Sequence, residues 1–346
     1  MNIEKKYFGS CPAGEVDIYT LTNDSGMSAE ICTLGGTLVS LNVPDKNGNV
    51  ADVVCGYSTP EDYYKGDCYI GALIGRVASR IGYGKFTLDG VDYTLAINNG
   101  CNSHHGGKEG FSRKIWIAKD EVTDEGCVLS LTYTSPDGEE NYPGTLNVTV
   151  TYTLTSENGL VIHYHATTDK ATILNLTNHS YFNLGGYASG KIYDHEMFIN
   201  ADSYLPLNEQ LVPTGEIRSL KGTPYDFTTP KKIGADIAAV GGYDNCYNFV
   251  GGETDAPVKR CEVYDSASGR GMTVYTNQPC VQFYTANFLK NEKYPFKGGY
   301  KQSPQTLFCL ETQHMPDSIH HSNFTNVVLD VGETYDYTTI YAFSAE

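Results

Sequence analysis

Hydrophobic and polar positions alternate along this chain far more often than they recur at helical spacing. Residues 145–155 read TLNVTVTYTLT. Leu146, Val148, Val150, Tyr152 and Leu154 fall on one face, and threonines with one asparagine on the other, the period of a half-buried strand. After the turn Glu157-Asn158-Gly159, residues 160–166 (LVIHYHA) complete a hairpin. Segments 128–134, 272–276, 281–285, 306–310 and 335–343 read as further strands. Helical windows are nearly absent, and 233–240 alone reads as a short helix. The 36 glycines and 14 prolines are scattered as turn punctuation. No low-complexity linker, fixed-period repeat or shift of composition interrupts the chain. The expected fold is all-β, one large antiparallel sandwich domain over residues 1–346, rather than two modules or a propeller.

One stretch carries more than a fold. In 175–184 (NLTNHSYFNL), Asn175, Thr177, His179 and Tyr181 share a face, while Leu174 and Leu176 open the face expected to pack inward. A histidine held among hydrogen-bonding groups on a rigid strand suits proton chemistry. The same pattern also describes a solvent-washed sheet face with an incidental histidine.

Composition narrows the partners. The formal net charge is −17 and there are no Lys/Arg runs, which argues against nucleic acid or an anionic membrane surface and for a neutral or cationic small molecule. The first ten residues lack an apolar signal core, and no run of about 18 apolar residues occurs. The ten cysteines form no CxxC and accompany no zinc spacing. Free thiols in a reducing cytoplasm are expected, with Cys309, inside the apolar run 307–310, as core filler.

Further groups invite chemistry. Residues 75–81 (GRVASRI) place Arg76 and Arg80 four apart among apolar neighbours, as ligand anchors or as structural ion-pair partners. The loop 98–107 (NNGCNSHHGG) sets two histidines before paired glycines, which allow close backbone approach to a ligand. Adjacent histidines do not easily turn toward one ion, and no further ligands stand at metal spacing, so no metal is expected. Asp244 sits in a glycine-led turn, where an Asx turn is the plainer reading. Glu311 ends the apolar strand 306–310, and a carboxylate there is either paired or functional.

Taken in order, GRVASRI, NNGCNSHHGG, LTNHSYFNLGG, GYDNCYNF, VQFYTANFL and FCLETQHMPDS resemble the motifs of the aldose 1-epimerase (galactose mutarotase) family. The resemblance spans roughly residues 70–320. It implies a large antiparallel β-supersandwich, His179 as general acid and Glu311 as general base. It implies Arg80, His105, Asp244 and Gln282 as sugar-binding groups, with Ser79 and Tyr181 on the same surface. Ser79 stands where that family usually has asparagine, Cys101 and His104 where proline and leucine are common, and Asn245 where histidine often follows the aspartate. These departures bear on sugar preference.

The implied reaction interconverts the α and β anomers of an aldohexose such as galactose or glucose. It needs no cofactor, and a monomer or homodimer would serve. In this scheme His179 must be protonated while Glu311 is ionised, which asks for nearby negative charge to raise the histidine. Three other readings stand beside it: a glycoside hydrolase using Asp244 and Glu311, a non-catalytic sugar-binding domain, and a phosphosugar epimerase, which would want a basic pocket.

Overall fold

The structure is a computed structural model that describes residues 1–289 and 293–346. Its largest element is a nine-stranded antiparallel sheet. In spatial order the strands are Ile117–Thr123, Gly126–Ser135, Leu146–Leu154, Gly159–Thr168, Tyr335–Ala345, Arg270–Thr276, Val258–Asp265, Glu196–Ile199 and Lys231–Lys232. The expected hairpin is present, with Leu154 opposite Leu160. All five apolar positions of Leu146–Leu154 are buried and the polar ones between them are partly open.

Two five-stranded sheets complete the framework. One joins Asn2–Cys11, Gly14–Thr22, Ser28–Cys32, Thr37–Pro44 and Val50–Asp52. The other runs Arg218–Ser219, Ala201–Tyr204, Asp244–Phe249, Cys280–Tyr284 and Cys309–Gln313. One continuous apolar core includes Leu21 and Leu41 of the first, Leu129 and Val150 of the nine-stranded sheet, and Phe283 and Leu310 of the second. Burial of that surface between sheets holds the layers together.

Three local expectations are corrected. The 233–240 helix is broken into a 3₁₀ turn, Ile233–Ala235, and a single α turn, Ile237–Val240. The strand expected at 306–310 instead runs Cys309–Gln313, because Phe308 exchanges both backbone hydrogen bonds with Phe182 rather than with the sheet. Glu311 therefore lies in mid-strand. A helix that alternation did not reveal, Pro60–Lys65, starts at Thr59, whose hydroxyl accepts from the Asp62 N–H at 3.2 Å, with proline in its first turn.

The 175–184 stretch is also not a strand with a wet face. Only Thr177–Asn178 joins a ladder, opposite Leu73–Ile74, and every residue from 172 to 184 is buried. The segment threads between 71–74 and 306–309. His179 donates its N–H to Ala72 O and accepts from Gly71 N, both at 2.9 Å. Asn175 exchanges two hydrogen bonds with the His314 backbone, at 2.9 and 3.1 Å, and so ties down the end of the Glu311 strand.

Candidate active site

The second five-stranded sheet builds the floor of a cleft by register alone. Gln282 lies opposite both Cys246 and Glu311, and Tyr284 lies opposite both Asp244 and Cys309. Directly opposed residues point the same way, and so do residues two apart on one strand. Asp244, Gln282, Tyr284 and Glu311 therefore share one face, while Phe283 and Leu310 point into the core. Asp244 Oδ1 accepts from Gln282 Nε2 at 2.8 Å. This strand-start position replaces the Asx-turn reading of Asp244.

The opposite wall comes from the 75–81 and 98–107 motifs. Arg80 pairs in register with His104, and Ser103 with Ile81. The two arginines of GRVASRI have separate tasks. Arg76 is 2% exposed and donates to Ser135, to the Pro136 and Pro143 carbonyls and to Thr172, so it staples loops together, with no ion pair among the described residues. Arg80 donates Nε–H to Asn99 Oδ1 at 2.9 Å and lines the cleft. The glycine pair does not approach a ligand: a Cβ on Gly106 would lie 1.8 Å from Gly75 O, and one on Gly107 2.2 Å from Glu140. The pair seats the loop against its neighbours and leaves His105 aimed inward.

Four cleft residues, Tyr69, Ser79, His105 and Leu211, hold positive φ without being glycine. Each such conformation costs about 1–3 kcal/mol and persists only where surrounding structure imposes it, as functional sites do. Ser79 and His105 brace each other. The His105 N–H donates to Ser79 O at 3.0 Å, and the Ser79 N–H donates to His105 Nδ1 at 3.2 Å. That second bond leaves the neutral ring's proton on Nε2, as a donor.

The cleft has a volume of about 490 Å³. All eight residues expected at the site, His179, Glu311, Arg80, Ser79, His105, Asp244, Gln282 and Tyr181, line it. His179 Nε2 lies 3.6 Å from Glu311 Oε2, and that oxygen has no hydrogen-bond partner among the described residues. Tyr181 stacks on the His179 ring at 4.9 Å and spends its hydroxyl on the Cys68 carbonyl at 3.0 Å, so it orients the histidine. Nine further cleft residues did not stand out as site residues in the sequence, among them Tyr69, Asn99, His104, Leu211, Tyr284 and Phe288. Asn99 and His104 lie inside the histidine loop, and Tyr284 inside VQFYT. Tyr69 and Leu211 belong to no motif.

Burial governs the charges. It pushes His179 down to about 4. It pushes Glu311 well above the carboxylate range, with the Asp244 charge adding and Arg80 opposing. Asp244 is also raised by burial, against Arg80 and Gln282. His105 is held neutral by burial and by His104, His179 and Arg80. The expectation that negative charge raises His179 is thus reversed: loss of water outweighs the upward pull of a backbone hydrogen bond on the ring. His105, His179 and Glu311 bring ligand atoms within 4.8 Å of one another, a spacing that a cation site shares. Arg80 acts on Glu311 and on His105 from the same wall, and its permanent charge opposes a second cation there.

An antiparallel supersandwich with an imidazole and an unpartnered carboxylate on the floor of a polar cleft defines a class of all-β proteins equipped for acid–base work on a polyhydroxy ligand. Comparison with known proteins narrows it. Residues 17–342 match the Aldose 1-epimerase family. The chain is 44% identical to galactose mutarotase of Bos taurus over 348 residues, covering 99% of each. It is 35% identical to aldose 1-epimerase of Escherichia coli (strain K12), covering 95% of each. An aldose epimerase homologue from C. elegans superposes with a TM-score of 0.87 at 30% identity, over 95% of this chain and 98% of that one. The chain belongs to the aldose 1-epimerase family.

Proposed function

We propose that this protein interconverts the α and β anomers of an aldose, with His179 and Glu311 exchanging protons with the sugar. The observation that carries this reading is the 3.6 Å approach of His179 Nε2 to an otherwise unpartnered Glu311 Oε2 on the cleft floor. A pyranose hangs its ring oxygen and its anomeric hydroxyl from the same carbon, C1. Groups that exchange protons with both must lie side by side.

Glu311 takes the proton of the C1 hydroxyl while His179 gives one to the ring oxygen. The C1–O5 bond breaks and an aldehyde forms. Rotation about C1–C2 presents the other carbonyl face, and reclosure returns both protons. The Nε2–H of His105 and the Arg80 guanidinium stabilise charge developing on oxygen. Asp244 and Gln282 hold hydroxyls farther around the ring. The ten cysteines are all free thiols, in keeping with a reducing cytoplasm.

The inverted charges of the cleft fit this chemistry. A neutral His179 beside a protonated Glu311, and an imidazolium beside a carboxylate, contain the same single shared proton. The pair, rather than either residue, titrates. Activity therefore falls below about pH 4, where His179 binds a second proton, and again where the pair loses its last one.

Polarimetry on freshly dissolved α-D-galactose, α-D-glucose and a panel of pentoses tests the reading. Faster mutarotation, without release of reducing sugar from aryl glycosides, is the expected result. Sugar binding with no acceleration would instead identify a carbohydrate-binding domain.

A further inference from the structure

Cys309 has no part in the proton transfers, yet it lies under the residue that performs them. It shares its strand face with Glu311 two residues on, opposite Tyr284. Its Sγ lies 3.6 Å from His179 Nδ1, and among the described residues no other side chain hydrogen-bonds that nitrogen. Both residues are buried. The contact is fixed from both sides. The His179 backbone is bonded to Ala72 and Gly71 and its ring is stacked on Tyr181, while Cys309 lies in the ladder beside Tyr284.

We propose that Cys309 is a positioning residue whose sulfur accepts the Nδ1–H of His179, so that Nε2 alone carries the travelling proton. The inference rests on the reading of His179 as the acid of ring opening. In that step the imidazolium gives up its Nε2 proton and becomes a neutral ring with hydrogen on Nδ1. In reclosure the bare Nε2 takes a proton back from the sugar. The cycle closes only if Nδ1 keeps its hydrogen throughout. A neutral ring of the other tautomer has Nε2 already occupied and cannot accept. The hydrogen bond made by one ring nitrogen sets the state of the other.

Sulfur is suited to this task because it is a weak acceptor. A carboxylate at the same place would hold the imidazolium firmly and blunt its acidity. The thiol keeps its own hydrogen, since burial and the charges of Glu311 and Asp244 raise its pKa well above the ordinary value. No proton passes to or from sulfur. The role accounts for a buried cysteine that the apolar run 307–310 presents as filler.

The test is imidazole ¹⁵N NMR on the full-length protein at neutral pH, with the His179 resonances assigned by their loss in His179→Gln. The wild-type ring is expected to be protonated at Nδ1 and bare at Nε2. Cys309→Ala is expected to shift the ring toward the Nε2–H tautomer. It should lower kcat for mutarotation about 3- to 10-fold, the worth of one net hydrogen bond, with KM unchanged. Cys309→Ser, which retains an acceptor, is expected to restore both readouts. A wild-type ring protonated at Nε2 would overturn the proposal, as would a Cys309→Ala protein with unchanged tautomer and kcat. The wild-type spectrum needs neither variant to fold. Failure of wild-type protein to accelerate mutarotation would count against the functional reading alone, because the tautomer is read without turnover.

Discussion

The nine-stranded sheet and the second five-stranded sheet are made of the same kind of strand, yet they use their two faces differently. In the large sheet Leu146–Leu154 buries every second side chain and leaves the others partly open. In the small one Cys280–Tyr284 and Cys309–Gln313 are buried at every position. One of their faces is core, with Phe283 and Leu310. The other is the cleft floor, with Gln282, Tyr284 and Glu311. On Leu146–Leu154 a polar residue is partly open to water. On the cleft floor Gln282 and Glu311 are desolvated groups that the fold holds only at a cost, which fits the proposed chemistry.

Substitutions on the two sheets should separate activity from stability. Glu311→Ala, on the cleft floor, is expected to lower kcat by about 10²–10⁴-fold, the usual contribution of a positioned acid or base. Thermal unfolding should stay cooperative in that variant. Leu129→Ala, at a fully buried position of the large sheet, should cost about 2–5 kcal/mol in denaturant unfolding. Its kcat per folded molecule should stay at the wild-type value. A fall in kcat there would dissolve the contrast between the sheets.

The price of holding a carboxylate on the floor should itself be visible. The folded pKa of Glu311 is raised, so its contribution is favourable at low pH and is lost as pH rises through and beyond its unfolded value of about 4.5. Glu311→Gln should therefore unfold at higher temperature than wild type at pH 7, with the gap narrowing toward pH 4. An equal or lower melting temperature at pH 7 would show the ionised side chain to be well solvated. The smallest effect is expected on the opposite wall. His104 faces Arg80 in register and lines the cleft, and its ring nitrogens have no hydrogen bond among the described residues. His104→Leu should raise KM about 2- to 10-fold for the aldose whose hydroxyl it meets, leaving kcat unchanged. Steady-state comparison across an aldose panel measures this.

The same contrast explains what could be read from the chain. Alternation marked Leu146–Leu154, the hairpin after it and the C-terminal strand, because water on one side keeps the period of two visible. It misplaced the Glu311 strand and took 175–184 for a one-sided strand, because both regions are buried on both sides and the pattern carries no sign of it. The site was legible as motifs rather than as geometry. Spacing alone left His179, Arg80 and Asp244 with plain structural readings, and the joint resemblance of six segments selected among them. Tyr69, Leu211 and the contact of Cys309 with His179 depend on chain crossings that no local pattern encodes. The direction of the His179 shift was also hidden, since it follows from loss of solvent at a position whose burial alternation did not indicate.

The central claim is that His179 and Glu311 act as one proton-sharing pair. Polarimetry of α-D-galactose with His179→Ala, Glu311→Ala and the double variant tests it most directly, because residues that act as a unit are strongly non-additive. Each single substitution is expected to cost nearly as much of kcat as the two together. Near-wild-type turnover in either single variant, or losses that simply multiply in the double variant, would contradict the account.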